Sequence, residues 1–92
     1  MLEINKAYSL RTNIIIKGIN KKYWALDTNS GSQFRLNELS FDVLSAMDGK
    51  TTIEEILIEQ AKKYDVDIKI ISKDIISFLE NALSKDFLSL VD

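Results

Sequence analysis

The chain has 92 residues, of which 46% are hydrophobic and 28% are charged, and its formal net charge is −2. This size and balance suit a single domain over residues 1–92, and the lack of a basic excess argues against a nucleic-acid partner. Cysteine and histidine are absent, which excludes disulfides, thiolate nucleophiles, Cys or His metal ligands and the commonest general base. No apolar run suits a membrane span and no signal peptide is evident, so we expect a cytoplasmic protein without a membrane partner.

The first part of the chain predicts a small antiparallel sheet of three strands. Residues 1–6 form a lead-in, and residues 13–19 are rich in the β-branched side chains that favour a strand. A turn over residues 18–21 leads to a second strand over residues 23–27. The sheet is then expected to run directly into a helix.

The third predicted strand covers Gln33–Leu36 and follows a hairpin turn in which Gly31 is free to take positive φ. Alternation turns Phe34 and Leu36 toward the core and leaves the residues between them facing outward. As the last strand of a meander, this segment is expected to be an edge of the sheet.

Two helices joined by a short turn are predicted next. Asn37 is a suitable N-cap for the first, and Gly49 is expected to stop it, because glycine tolerates the left-handed conformation past a helix end. Thr52 begins the second helix, with Glu55 completing a capping box. That helix covers about Ile53–Tyr64.

The third predicted helix begins after Asp67 and runs to about Ser84, and its apolar side chains cover an arc of about 160°. One edge of this arc carries Ile71, Ile75, Phe78 and Ala82, and the other carries Ile76, Leu79 and Leu83. Residues 87–90 are expected to close the chain against the core.

No arrangement of residues indicates catalysis, a metal or a cofactor. The 14 acidic residues are spread along the chain, and helix capping with a solvated face explains the neighbouring pair Glu54 and Glu55. The three glycines are isolated turn residues rather than a phosphate-binding loop. We therefore expect a protein that is not an enzyme.

Two features indicate peptide binding. An edge strand offers unpaired backbone N–H and C=O groups, and the third helix offers a wide apolar arc beside it. A peptide could add a strand to Ser32–Leu36 and place apolar side chains on Ile71, Ile75 and Phe78. On these grounds alone a short edge blunted by Arg35 is an equally good interpretation of the strand, and a helix whose whole arc is core is the commoner case.

The order GSQFRLNE, FDVLSAMDGKTTIEEI, KYDV and DIISFLENALSKDFL resembles the PqqD-like proteins, the peptide-recognition elements of ribosomally synthesised and post-translationally modified peptide (RiPP) pathways. The resemblance covers about Tyr23–Leu88. It departs at Asp86, where many members have glycine. The fold that it implies is α+β, a winged helix-turn-helix with a three-stranded antiparallel sheet followed by three helices.

The resemblance also implies a function, that of a non-catalytic peptide chaperone that captures a precursor's leader segment as an added strand. Carried over by position, the peptide-binding residues are Ser32, Gln33, Phe34, Arg35, Leu36, Ile71, Asp74, Ile75 and Phe78. The implied partners are the leader peptide and a maturation enzyme, either a radical S-adenosylmethionine (SAM) enzyme or a leader peptidase of the lasso-peptide kind. The chain is expected to be a monomer or weak dimer.

Three other readings remain open from the residues. The first is a winged-helix DNA-binding regulator, although Asp74, Glu80 and Asp86 balance the lysines of the third helix. The second is an interaction subunit whose edge strand pairs with itself. A stand-alone enzyme comes last.

Overall fold

The computed structural model describes residues 2–91, which form an α+β fold of six strands and three helices. The strands are β1 (Ala7–Leu10), β2 (Ile14–Ile19), β3 (Lys22–Asp27), β4 (Gln33–Leu36), β5 (Asp48–Thr52) and β6 (Leu88–Val91). The helices are α1 (Glu38–Ser45), α2 (Ile53–Tyr64) and α3 (Ile68–Ser84). The strands make two three-stranded antiparallel sheets, with strand orders β2-β3-β4 and β5-β1-β6. The expected single sheet is therefore only half of the β structure.

The sheet β2-β3-β4, which we call the hairpin sheet, is the predicted one. Its first turn is shorter than the predicted span of residues 18–21, because Gly18 pairs with Tyr23 and Ile19 pairs with Lys22. Only Asn20 and Lys21 lie between the strands, and both have positive φ, 52° and 62°. This two-residue geometry matches the twist of the flanking strands.

Close packing holds the hairpin sheet against α1. A Cβ at Gly18 would lie 2.8 Å from the Tyr23 ring, so only glycine lets that ring lie over the strand. The Tyr23 ring also contacts Phe41 of α1, with 4.7 Å between ring centroids. At the other end of the hairpin sheet, Gly31 has a φ of 75°, which confirms its predicted turn conformation.

The sheet β5-β1-β6, which we call the closing sheet, was not predicted. It joins the beginning of the described chain to the α1–α2 connection and to the segment after α3. Tyr8 of β1 is 2% exposed, and its hydroxyl accepts a hydrogen bond from the Glu3 backbone N–H at 3.0 Å. The closing sheet is therefore part of the core.

The predicted end of the first helix is wrong. The Asn37 side chain does cap α1, accepting from the Ser40 N–H at 2.7 Å, but the helix ends at Ser45 and Gly49 lies within β5. Gly49 has a φ of 79°, and a Cβ there would lie 3.3 Å from Val91 Cγ2. Glycine at this position therefore serves the close approach of β5 and β6 rather than the end of a helix. The connection between α1 and α2 is a strand, not a simple turn.

The second helix begins as predicted. The Glu55 N–H donates to Thr52 Oγ1 at 3.2 Å, and the Thr52 N–H donates to Glu55 Oε1 at 3.0 Å. These two hydrogen bonds form the capping box and satisfy donors that helix geometry leaves unpaired. The helix ends after Tyr64, with Asp65 in the left-handed conformation.

Polar contacts join the end of α2 to α1. Tyr64 donates its hydroxyl proton to Asp42 at 2.6 Å, and Lys63 Nζ lies 2.6 Å from the same carboxylate. Partial burial raises the pKa of Asp42, but the hydrogen bonds from Lys63 and Tyr64 outweigh it and leave the pKa lowered. Burial, together with the Asp42 acceptor, raises the pKa of Tyr64 well above its ordinary value.

The departure from the family pattern at Asp86 lies at the end of α3. The Phe87 N–H donates to the Ala82 carbonyl at 3.0 Å and the Asp86 N–H to the Leu83 carbonyl at 3.1 Å. This pair of bonds is a Schellman motif, whose left-handed position usually holds glycine. Asp86 occupies that position with a φ of 60°. The turn therefore forms despite the substitution and directs Phe87 back toward the core.

The core fills the space between the two sheets and the helices. The largest of the almost fully buried side chains are Tyr8, Val43, Leu44, Ile53, Ile56, Ile75 and Leu79. Both sheets and all three helices are joined through this single cluster of buried residues. Among residues 2–91, no helix combines the length and apolarity that crossing a bilayer requires.

Candidate functional site

β4 is an edge of the hairpin sheet. It pairs with β3 on one side, with Trp24 opposite Arg35 and Ala25 opposite Phe34, and no described strand lies on its other side. Backbone N–H and C=O groups therefore point away from the sheet along one side of β4. This confirms the predicted edge, and such an edge is a template for a further strand.

A groove runs beside this edge, between β4 and α3. Its first part has a volume of about 460 Å³. It is lined by Gln33, Phe34, Arg35, Leu36, Asn37, Ser40, Phe78, Asn81, Ala82, Lys85 and Phe87. A second part of about 370 Å³ continues between α1 and α3, and Phe78 and Asn81 line both parts. A groove of mixed polar and apolar lining thus lies beside the unpaired edge of β4.

Aromatic contacts fix the floor of the groove. The Phe34 ring of β4 meets the Phe87 ring edge-on, with 5.2 Å between centroids. The Lys85 ammonium lies 4.8 Å from the centroid of Phe34. Since ring edges and cations are both attracted to an aromatic face, Phe34 is held in place before any ligand arrives.

The charges around the groove are unevenly placed. Lys85 and Arg35 line the part next to β4, whereas Asp74 lines the part between α1 and α3. The Arg35 guanidinium lies 5.7 Å from the centroid of Trp24, which pairs with it on the neighbouring strand. The β4 end of the groove is therefore cationic and the far end carries a carboxylate.

The predicted peptide-binding residues fall into different surroundings. Those that line the groove are Gln33, Phe34, Arg35, Leu36, Asp74, Ile75 and Phe78. Ser32 is exposed and directly precedes β4, whereas Ile71 lines neither part of the groove. Ile71 and Ile75 are 5% and 1% exposed, so the core takes nearly all of their surface. Phe78 is half-buried and is the predicted apolar residue of α3 with surface left to offer.

Several groove residues were not predicted. Asn81 follows Phe78 by three positions on α3, and Lys85, seven positions after Phe78, is the C-cap residue of the same helix, a spacing that puts them on one side of the helix. That spacing was a usable signal. Phe87 gave no such signal, because it reaches the groove only after the left-handed turn at Asp86.

The geometry supplies a hydrogen-bonding strand edge and a groove to which Phe34 and Phe78 contribute apolar surface. Over residues 2–91, no set of three or more acidic side chains is placed to hold a metal ion. The arrangement can bind an extended chain through its backbone and through alternate side chains.

Comparison with known protein families identifies the chain. The family described as Coenzyme PQQ synthesis protein D (PqqD) matches residues 23–88. The chain belongs to the PqqD family. The matched span includes β4 and all three helices, and so every element that lines the groove. The predicted family is therefore confirmed.

Solved structures similar to this PqqD-family chain share its fold. The solution NMR structure of the PqqD truncation of Methylobacterium extorquens PqqCD, described as a functional and stand-alone RiPP recognition element, is 23% identical with a TM-score of 0.80. That match covers 97% of this chain and 95% of the other. TbiB1 in complex with the TbiA(beta) leader peptide is 21% identical with a TM-score of 0.76, covering 88% of this chain and 94% of the other. A comparison with curated proteins gave no match.

Proposed function

We propose that this chain is a non-catalytic RiPP recognition element that binds the leader segment of a ribosomal precursor peptide. The leader adds a strand to β4 and lies over the groove beside α3. The observation that carries this proposal is the unpaired edge of β4 beside a groove of about 460 Å³ that Phe34 and Phe78 help to line. The family match supports it, as does the shared fold of TbiB1, whose structure contains a leader peptide.

Strand addition divides the work of recognition between backbone and side chains. Hydrogen bonds from the β4 backbone give affinity with little dependence on sequence, whereas alternate side chains of the leader enter the groove and give selectivity. β4 has four residues, Gln33–Leu36, so the matched part of the leader is equally short. Phe34 and Phe78, which are half-buried, are the aromatic lining residues with surface to meet its apolar side chains, and Phe87 supports Phe34 from the core.

The proposed role ends with presentation of the leader to a maturation enzyme. We take that enzyme to be a radical SAM enzyme or a leader peptidase of the lasso-peptide kind, with residues 1–92 acting in the cytoplasm as one domain, a monomer or weak dimer. We also propose that the fold is a winged helix-turn-helix, in which α1 and α2 are the paired helices and β5 lies between them in the chain. The PqqD truncation of PqqCD supports the single-domain part, because it is described as functional and stand-alone.

A DNA-binding role has no comparable support. α3 exposes Lys69 and Lys73, but the exposed carboxylates of Asp74 and Glu80 lie on the same helix. A helix that reads DNA usually presents an excess of basic and amide groups. Binding of duplex DNA that weakens steeply with salt would favour this alternative.

Calorimetric titration of the precursor's leader peptide tests the proposal. We expect Phe78→Glu to weaken binding at least tenfold, because it places a charge in the apolar floor. Ile70→Glu is the matched control, since Ile70 lies on the same helix, is 64% exposed and lines no part of the groove. Equal binding by the wild type and both variants would rule out the groove. Ile75→Glu is unsuitable, because Ile75 is 1% exposed and its change tests folding instead.

A further inference from the structure

The outer face of the hairpin sheet, opposite the core, carries an unbalanced charge. Strand alternation places Lys17, Lys22 and Arg35 on this face, and all three are exposed. The one acidic residue within β2, β3 and β4 is Asp27, which lies on the other face and accepts a hydrogen bond from Asn13 at 2.9 Å. The chain as a whole has a net charge of −2, so composition does not explain this cluster of cations.

Arg35 is the cation of this outer face that belongs to the edge strand. It lies on β4 itself, and its guanidinium is positioned over Trp24 at 5.7 Å from the ring centroid. Among residues 2–91, the salt bridge that forms is Lys63–Asp42, so Arg35 has no acidic partner within the described chain. Its charge is exposed, partly ordered by Trp24 and uncompensated.

A strand added to β4 has a fixed alternation of side chains. Those on one face enter the groove over Phe34 and Phe78, and those on the other face lie beside Arg35 and Gln33. Directly opposed side chains on neighbouring strands are about 4.5–5.5 Å apart, which is close enough for a charge pair. Side chains on the groove face of a bound leader therefore meet Phe34 and Phe78, with Lys85 nearby, whereas the side chain opposite Arg35 on the outer face meets an exposed cation.

We propose that the leader segment captured by this chain alternates apolar and acidic residues, with a carboxylate on its outer face beside Arg35. This inference rests on the proposed function and adds to it the chemical class of the ligand. An opposite-charge pair across neighbouring strands corresponds to a preference of about two- to fivefold, and Lys17 and Lys22 extend the attraction at low salt.

The same charges disfavour a second copy of the chain as the occupant. Two β4 edges paired across a two-fold axis would bring the Arg35 side chains of both copies to one face. An acidic strand neutralises these charges instead.

Short synthetic peptides that differ only on the outer face provide the test. One alternates leucine with glutamate, and its counterpart has lysine in place of each glutamate. Fluorescence anisotropy at low salt is expected to show the glutamate peptide binding the wild type about fivefold or more tightly than the lysine peptide. In Arg35→Glu the preference should reverse. Arg11 is the other arginine of the chain and lies outside the hairpin sheet, so Arg11→Glu should leave the preference unchanged.

The outcomes separate this inference from the proposed function. If both peptides bind the wild type equally and Phe78→Glu abolishes both, strand addition stands and the acidic ligand class is wrong. If Arg35→Glu keeps the preference for the glutamate peptide, Arg35 does not read the outer face and the inference also fails. If neither peptide binds the wild type, the alternating apolar and acidic class is wrong, and strand addition to β4 is itself refuted only if the precursor's own leader also fails to bind.

Discussion

The two sheets of this chain have the same number of strands but draw on very different parts of the sequence. The hairpin sheet is made of consecutive strands joined by tight turns, and it leaves β4 open beside the groove. The closing sheet joins residues 7–10, 48–52 and 88–91. One sheet presents a binding edge, and the other ties three distant parts of the chain together. We therefore expect substitutions on the groove side of β4 to change leader binding and substitutions in the closing sheet to change stability.

The largest expected effect is in the closing sheet. Tyr8→Ala removes a side chain that is 2% exposed, and loss of a large buried aromatic destabilises a domain by about 3–5 kcal/mol. Urea unfolding at equilibrium measures this change. Leader affinity of the folded fraction at low temperature should remain close to that of the wild type. A loss of stability below about 1 kcal/mol would mean that β1 is not part of the core.

The second expected effect is on binding. Phe34→Ala removes the ring that contacts Phe87 and Lys85 on the groove floor, and we expect leader affinity to fall by about 2 kcal/mol, the size of an interface hot spot. Ile15→Ala is the control, since Ile15 lies on the outer face of the same sheet and is 47% exposed. Calorimetry should show weakened binding in the first variant alone. Similar losses in both would point to damage of the sheet rather than of the groove.

Gly49 tests how tightly the closing sheet is packed. Gly49→Ala combines an unfavourable φ of 79° with a Cβ 3.3 Å from Val91 Cγ2, so we expect a loss of about 1–3 kcal/mol in the free energy of unfolding. Gly31→Ala is the matched control in the turn between β3 and β4, because the φ of Gly31 is 75° but a Cβ there would have no atom within 4 Å. The difference between the two variants measures crowding against β6. Equal losses would mean that backbone conformation alone accounts for both.

A smaller effect concerns acid stability. The pKa of Asp42 is lowered in the folded chain, so its contribution is fully present above the unfolded pKa of about 3.9. That contribution is lost as the pH falls through the folded pKa. Asp42→Asn should therefore lower stability at neutral pH and flatten the loss of stability on acidification, as followed by urea unfolding at several pH values. Leader binding by Asp42→Asn should equal that of the wild type.

Other carboxylates make the comparison with the wild type necessary. Hydrogen bonds from Asn13 to Asp27 and from Thr51 to Asp48 also lower the pKa of those groups. Asp27 and Asp48 contribute to the acid dependence of both the wild type and Asp42→Asn, so their contributions cancel when the two pH profiles are subtracted. Parallel pH profiles for the wild type and Asp42→Asn would show that the contact between α1 and α2 does not contribute to stability.

The smallest expected effect has the opposite sign. Asp86→Gly relieves a left-handed residue at the end of α3, where φ is 60°, and should raise stability by about 0.5–1 kcal/mol. Thermal unfolding detects a gain of this size in a domain of this length. A decrease would mean that the aspartate side chain stabilises the turn by more than its conformation costs.

The elements that could be predicted from the sequence are those fixed by neighbouring residues. The Asn37 cap and the capping box of Thr52 and Glu55 are local hydrogen-bond patterns, and the structure contains both. The three strands of the hairpin sheet pair with their neighbours along the chain and were predicted for the same reason. The edge at β4 followed directly from this order.

The closing sheet could not be predicted in the same way. β1 and β6 have four residues each and β5 has five, and each finds its partner far along the chain. The β5 segment DGKTT also carries a glycine with positive φ, which suggests a turn when its surroundings are unknown. The difference between local and distant contacts also explains which site residues were predicted. β4 was identified because it pairs with its neighbour along the chain, whereas the position of Phe87 depends on the turn that follows α3.

Amide hydrogen exchange with and without saturating leader peptide tests the central claim most directly. Strand addition predicts slower exchange at alternate amides of Gln33–Leu36, because the added strand accepts hydrogen bonds from N–H groups that now face away from β3. The amides of Leu88–Val91, in the closing sheet, should be unchanged. Unaltered exchange in β4 at full occupancy, or protection in β6 instead, would contradict the account.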